Sequence, residues 1–497
     1  MADAVAEYDP TTLPVRLKVA TMASSLLGIL LAALDQTVVA TAGPAMQRDL
    51  HIAPALYAWM TTSYIVASTV TVPLWGKLSD LFGRKRTLII GMVLFLIGSA
   101  LCAAARSLET LILYRVIQGI GSAALFTNAF AVTADLFPPK ERSKWQGLFG
   151  GVFGLASVIG PFVGGALTDA AGWHWVFLIN LPLGALALAV AMARMPPLRR
   201  PRTGPARVDV TGAAVLIVAM VALLLGLSLG HGEVPPGGRE TGWPWASWQI
   251  ASLFAVAVIG VIAFIIVEGR VREPLLDLSL FRRREFAIGC AAAFMAGLPF
   301  VAAIVFLPLF MVDVLGASAT DAGKVLIPLT LGIVFANIAS GQIVSRIGRY
   351  KGVILCSLVL SIIGFAVMGV TLSTDSTTLG VSLKMIILGM GMGPAIPLYT
   401  LAIQNSVPIQ QIGVATSTAV FARSVGATVG LAVLNTVFAM SLVSSMRGGA
   451  AFPVALTDAV RLVFQVSAVL CTIALLITLV LPALPLRKHQ APPPAME

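Results

Sequence analysis

The chain is built from long apolar runs. Fourteen of them reach spanning length, near 19–44, 57–76, 87–105, 108–132, 145–168, 174–193, 208–230, 248–267, 285–312, 322–344, 351–371, 380–402, 412–440 and 459–482. About 20 consecutive apolar residues cross the hydrocarbon of a bilayer as a helix. Barrel strands need only about ten, so these runs are too long for strands. Hydrocarbon offers backbone N–H and C=O groups no water, and a helix satisfies them internally. The runs therefore predict an all-α integral membrane protein of fourteen transmembrane helices. Only 11% of the 497 residues are charged, against about 25% in a soluble domain. That deficit excludes a soluble enzyme, a disordered chain and a nucleic-acid binder with a basic face.

Lysine and arginine positions orient the bundle. An even number of spans puts both termini on one side. The loops of that side outweigh the opposite loops in basic residues by about six to one. The opposite loops hold Arg48, Arg106, Arg239 and Arg447. The expectation is a multi-pass protein of a plasma (bacterial inner) membrane with both termini cytoplasmic. The net charge of +11 then reports insertion topology, not an acidic partner. The stretch Met1–Lys18 is polar, and the run after it is too long for a signal peptide, so it is expected to stay as a span. Cys102, Cys290, Cys356 and Cys471 lie far apart in apolar runs and read as small buried hydrophobes. Lys324 and Lys384, near outer helix ends, are expected to snorkel.

The loop after the second span reads GKLSDLFGRKR (Gly76–Arg86), and the loop after the tenth reads GQIVSRIGRYK (Gly341–Lys351). They share glycine at the first and eighth positions, arginine at the ninth and a basic eleventh. The span order before each loop also matches. The simplest account is two six-helix pseudo-repeat bundles, 19–193 and 285–482. A linker, 194–284, carries two extra transmembrane helices, and cytoplasmic tails cover 1–18 and 483–497. Repeated halves are a transporter architecture with the substrate site between them near the midplane.

Further motifs lie on the spans. The first reads LDQTVVATAGPAM (Leu34–Met46) and embeds Asp35 in a helix. A buried carboxyl can bind and release protons as its surroundings change. The alternative is a structural acid bonded to Thr37 or a neighbouring helix. The fourth reads LYRVIQGIGSA (Leu113–Ala123), with Arg115 in an apolar run and Gln118 and Gly119 one turn on. Arg115 is charged at any accessible pH and must face a polar interior, a partner or the outer interface. The fifth reads GPFVGGALTD (Gly160–Asp169), where Gly160, Gly164 and Gly165 permit close helix packing and Pro161 a kink. WHWVFLINLP (Trp173–Pro182) follows it. The thirteenth holds Arg423 in its interior, within VATSTAVFARSVGATVGLAV (Val414–Val433), to pair with a carboxylate or line a cavity. Spans 10, 12, 13 and 14 have no interior acid, which argues against a dicationic substrate. Asn128, Asn337, Gln404 and Asn405 read as bonds between helices.

These motifs together resemble the major facilitator superfamily over nearly the whole chain, in particular its 14-helix branch of drug:proton antiporters. The resemblance implies the major facilitator fold and a cytoplasmic latch between the halves at Gly76, Asp80, Gly83, Arg84 and Arg86. Ser345 replaces the acid in the second copy, so the latch is expected to be asymmetric. It implies proton coupling through Asp35 and Arg115, and an antiporter signature at Gly160, Pro161, Gly164 and Gly165. Gln118 and Arg423 are candidates for the cavity wall.

No G-x-x-x-x-G-K-[ST] loop, H-E-x-x-H pair or T-V-G-Y-G filter is present in the sequence. The expected protein is not an enzyme and has no catalytic residues, metal site or cofactor. It exports hydrophobic or amphiphilic drugs out of the cell by alternating access, driven by the proton gradient. The alternative is an exporter of one metabolite, such as an amino acid, sugar or siderophore. Expected partners are the lipid bilayer, protons and small substrates, with no nucleic acid. The outer loop near 231–247, with Trp243 and Trp245, reads as an interfacial anchor or as a docking site for a periplasmic adaptor protein.

Overall fold

The computed structural model describes residues 13–52, 59–198, 209–231, 242–271, 274–316, 319–408 and 411–482. The basic residues at 199–208, Arg239 and most of both expected tails lie outside the described residues, as do the side chains of Asp321 and Lys324.

The elements are α1 (Val15–Asp49), α2 (Trp59–Phe82), α3 (Arg84–Ala103), α4 (Leu108–Leu136), α5 (Pro139–Ala171), α6 (His174–Leu178), α7 (Asn180–Arg194), α8 (Val210–Leu229) and α9 (Trp248–Glu268). They continue with α10 (Arg284–Gly297), α11 (Ala302–Asp313), α12 (Ala319–Ile347), α13 (Lys351–Thr371), α14 (Thr378–Met392), α15 (Ala395–Asn405), α16 (Ile412–Arg447) and α17 (Phe452–Val480). Each predicted run coincides with one helix or with a broken pair. Thirteen of these segments among the described residues are long and apolar enough to cross a membrane. The fourteenth, α2, is as long but more polar, with Thr61, Thr62, Ser63, Ser68, Thr69 and Thr71 on it.

Three expected single helices are interrupted, and two of the breaks have local causes. Between α10 and α11 a 3-10 turn, Leu298–Val301, contains Pro299. Between α14 and α15 stand Gly393 and Pro394. Proline lacks the N–H that the helical ladder needs. The break between α6 and α7 falls at Ile179, which keeps helical angles. Several helices also overrun their apolar runs; α1 extends to Asp49 and α5 starts at Pro139.

The extra helices α8 and α9 pack on each other where Gly260 meets Ala219. Helix α8 then lies against α2 and α16, where Ala213 and Leu216 share a core with Val66, Val70, Phe421 and Val425. Exposed Ile259, Ile262 and Ile266 make α9 an apolar outer face. One cysteine expectation needs correction. Cys356 is exposed on α13 and not buried, because it faces away from the bundle. Trp245 makes contacts within the protein. Its ring stacks on Phe254 at 6.3 Å, and its Nε1 donates to Thr436 Oγ1 at 3.2 Å. Trp243 and Trp248 are exposed.

Candidate functional site

Asp35 lies fully buried on α1, and two helices bring three donors to it. Arg115 Nη1 of α4 donates to Oδ2 at 2.7 Å. Gln118 Nε2, one turn further along α4, donates to Oδ1 at 2.8 Å. Asn180 Nδ2 of α7 donates to the same oxygen at 2.8 Å. Arg115 Nη1 also donates to Gln118 Oε1 at 2.7 Å, so the arginine orients the amide that serves the acid. Its Nε donates to the Met60 carbonyl at 3.2 Å, and the guanidinium stacks over the Tyr64 ring at 4.2 Å. Arg115 is 1% exposed. It is therefore not a snorkelling residue but half of a sealed ion pair.

The local sequence explains the convergence. Arg115 and Gln118 stand at i and i+3, which puts them on one helix face. Asn180 begins α7 and is held by a second bond, to Ser99 Oγ at 3.0 Å, while Ser99 donates to the Phe177 carbonyl at 2.8 Å. Asp35, Arg115 and Gln118 were named from sequence, but Asn180 was not. Its signal was available: a lone amide in an apolar span is costly unless it has partners.

The glycine signature holds α1 against α5. A Cβ at Gly160 would overlap the Thr37 hydroxyl, and one at Gly164 would overlap Thr41 and crowd the Val38 backbone. Thr37 Oγ1 lies 3.1 Å from the Ala156 carbonyl, which it can also reach as donor. These contacts fix the helix that carries Asp35. Gly165 takes no part; a Cβ there would meet nothing within 4 Å. It stands about 100° round the helix from Gly164 and points away from α1. Pro161 lies inside the continuous helix α5.

A second network closes the basic end of the bundle. Asp80 on α2 pairs with Arg84 at 2.6 Å and accepts from the Val414 N–H of α16 at 3.1 Å. Val414 is in the first turn of α16, where unpaired N–H groups favour an anion. Arg84, 2% exposed, also binds Asp135 of α4 at 2.7 Å and Ser79 at 2.7 Å. Asn128 accepts from Ser79 at 2.6 Å and from Thr87 at 2.9 Å, so its amide joins helices as expected. Gly76 is required by contact, since its Cβ would overlap Ser417 of α16. Gly83 is required by conformation, with φ of 91°. Arg86 is exposed and stands apart from this network. Asp135 was missed in the sequence because it sits at a helix end among other loop charges.

The second loop builds the matching joint without charge. Gly341 of α12 abuts the Ser143 backbone of α5, and Ser143 Oγ donates to the Gly341 carbonyl at 2.9 Å. Gly348 repeats the positive φ of Gly83, at 74°. Arg349 is exposed, whereas Arg84 is buried. Further along the α5–α12 seam, Gly147 and Gly150 receive Asn337, and Gly154 receives Val334. Gln146 Nε2 donates to Gln404 Oε1 at 3.0 Å, and Gln404 donates to Thr416 at 2.9 Å. All these contacts between α1–α7 and α10–α17 fall in the basic half of the bundle.

Arg423 is in the interior of α16 and does not join the Asp35 cluster. Among the described residues it pairs with no carboxylate. Lys384 donates to the Thr371 carbonyl at 3.4 Å, at its helix end.

The family model described as Major Facilitator Superfamily matches residues 25–431. The chain is 39% identical over 412 residues to the multidrug transporter protein MdtP of Bacillus subtilis, covering 83% of this chain and 74% of that one. It is 39% identical over 412 residues to multidrug resistance protein 3 of the same organism, covering 83% and 78%. The tetracenomycin C resistance and export protein of Streptomyces glaucescens is 31% identical over 419 residues, covering 84% and 76%. Among solved structures, the proton:xylose symporter XylE superposes with a TM-score of 0.64 at 16% identity, covering 96% of this chain and 97% of that one. Human MFSD10 superposes with a TM-score of 0.65 at 17% identity, covering 93% and 99%. The sequence match and the shared fold agree: this chain is a membrane transporter that belongs to the Major Facilitator Superfamily.

Proposed function

We propose that the protein is a secondary active exporter that exchanges protons for hydrophobic or amphiphilic compounds across the plasma membrane. The observation that carries this reading is the sealed Asp35–Arg115 pair inside a membrane bundle. A buried intramembrane charge is expensive and is kept for function. The names of the relatives, two multidrug proteins and one antibiotic exporter, support drugs as the substrate class.

The geometry suggests how a proton would act. An ionised carboxylate only accepts hydrogen bonds, and Asp35 receives three donors on two oxygens. A proton on Oδ1 would displace one of its two donors, and one on Oδ2 would weaken the bond from Arg115. Arg115 would also lose its counter-charge. Protonation therefore forces α1, α4 and α7 to rearrange. Helix α1 is locked to α5 by Gly160 and Gly164, and α5 forms the seam with α12. A change at Asp35 thus has a packed route to the joint between the two groups of helices. Substrate has to favour one of the two states for this to drive exchange. With the basic side cytoplasmic, Asp80 and Arg84 keep the inner end shut while the outer half receives protons.

The test is expression in an efflux-deficient host against a compound panel, with and without a protonophore. Resistance to several compounds that the protonophore abolishes is the expected result. Resistance that survives collapse of the gradient removes proton coupling. Failure to protect against any compound favours export of a single metabolite.

A further inference from the structure

The buried charges divide unequally between pairs and a remainder. Asp35 is held by Arg115, Gln118 and Asn180. Asp80 and Asp135 are held by Arg84. The other acids of the sequence lie in loops or within about two turns of a helix end. Arg423 alone remains in a span interior with no hydrogen bond or ion pair among the described residues. An intramembrane charge that costs this much without an internal partner needs one from outside.

Its position says where that partner would come from. Arg423 is the twelfth residue of α16. It lies about 17 Å along the axis from the basic end, near half the hydrocarbon thickness. It stands three residues after Val420 and three before Gly426, on one helical stripe. Val420 packs into a core with Val72 and Trp75 of α2 and Ala123 and Ala124 of α4. Gly426 abuts the Phe294 backbone of α10, and Gly297 of α10 abuts the Arg423 carbonyl. The guanidinium therefore departs from the seam between α2–α4 and α10, not from the lipid face. The residue is half-buried, so the seam is not closed over it.

We infer that Arg423 binds the acidic group of the transported compound, and that the substrates are amphiphilic organic anions carrying a carboxylate, sulfonate or phenolate. A guanidinium offers a planar fork of donors to such groups and stacks on aromatic rings. A cationic drug meets the opposite situation, since the one interior carboxylate already takes three donors and has no exposed surface. This inference deepens the export reading above and rests on it for the word transported, but the site itself is tested by binding.

The experiment measures fluorescence anisotropy of two dyes with purified protein in nanodiscs. Fluorescein is an anion, and a rhodamine ester is a cation on the same xanthene ring system. Wild type is expected to bind fluorescein more tightly than the ester. Arg423→Gln should weaken fluorescein by about ten- to a hundred-fold, the range of a charge-assisted hydrogen bond. It should leave the ester unchanged or tighter. Arg423→Lys, which keeps the charge and loses the fork, should fall between. Thermal unfolding of each variant shows that it is folded, and Arg423→Lys serves if Arg423→Gln is not. Equal loss for both dyes would make Arg423 a structural or counter-ion residue and overturn the inference. So would unchanged fluorescein binding, absent fluorescein binding by wild type, or wild-type preference for the cation. Selective binding without gradient-driven uptake into vesicles would instead refute export and leave the anion site standing.

Discussion

The Asp35–Arg115 pair makes a quantitative prediction about its own removal. Asp35→Asn keeps the shape of the side chain but replaces one acceptor oxygen with a donor NH2. Arg115, 1% exposed, then sits in the bundle without counter-charge, and one of its three neighbouring donors loses its acceptor. Breaking a buried pair from one side costs about 3–5 kcal/mol. That is about a fifth or more of a typical total stability of about 5–15 kcal/mol. Arg115→Met strands the carboxylate instead and should cost a similar amount. The double variant removes both charges and leaves only amides around a neutral residue. Its loss should be smaller than either single loss, about 1–2 kcal/mol, the scale of unmatched neutral hydrogen bonds. Thermal unfolding of the four proteins in one detergent gives the cycle. Additive losses would refute the claim that the two charges depend on each other. The same double variant isolates proton coupling from stability: it should bind substrate without releasing protons. Proton release at the wild-type level would remove Asp35 from the coupling mechanism.

Three further outcomes follow from named contacts. Gly160→Ala drives a Cβ into Thr37 and should lower stability by about 1–3 kcal/mol, whereas Gly165→Ala meets open space and should stay within about 0.5 kcal/mol, both read by thermal unfolding. Asn180→Leu withdraws one donor from Asp35 and one from Ser99 and should cost about 1–3 kcal/mol, with equal stability of the variant counting against the network. Asp80→Asn discharges the anion at the start of α16 and leaves Arg84 paired with Asp135 alone, so a cysteine placed at Val420 in a chain lacking its four native cysteines should react faster with a maleimide. An unchanged labelling rate would mean that charge does not hold this joint shut.

The spans were legible because hydrocarbon leaves a backbone no alternative to the helix. The breaks in spans nine and twelve were legible in principle at Pro299 and Pro394, but apolar run length does not register them. Asp35, Arg115 and Gln118 could be found because an isolated polar residue in an apolar run is conspicuous. Their joining was not legible, since 80 residues separate Asp35 from Arg115 and only packing of α1 on α4 closes that gap. Asn180 and Asp135 were hidden for opposite reasons, one inside a stretch noted for its tryptophans and prolines, the other among loop charges. Gly165 was over-read, because a glycine pair in sequence points to two different helix faces.

The repeated loops share one motif, and the joints they build differ in kind, in line with the missing acid at Ser345. Both use the first glycine for close contact with a helix of the other group and the eighth for a left-handed turn. Only the first adds charge, through Asp80, Arg84 and Asp135. A transporter must open its closed end in every cycle. Moving a two-state balance from 1:99 to 99:1 takes about 5.5 kcal/mol of differential binding. A carboxylate at a partly buried helix N-terminus contributes up to about 2 kcal/mol. One such joint leaves the closed state within reach of a ligand. Two would use most of what a ligand supplies before any packing in the seam was undone. Ser345 in place of a second acid, and Arg349 in solvent in place of a second buried arginine, keep the seam able to open.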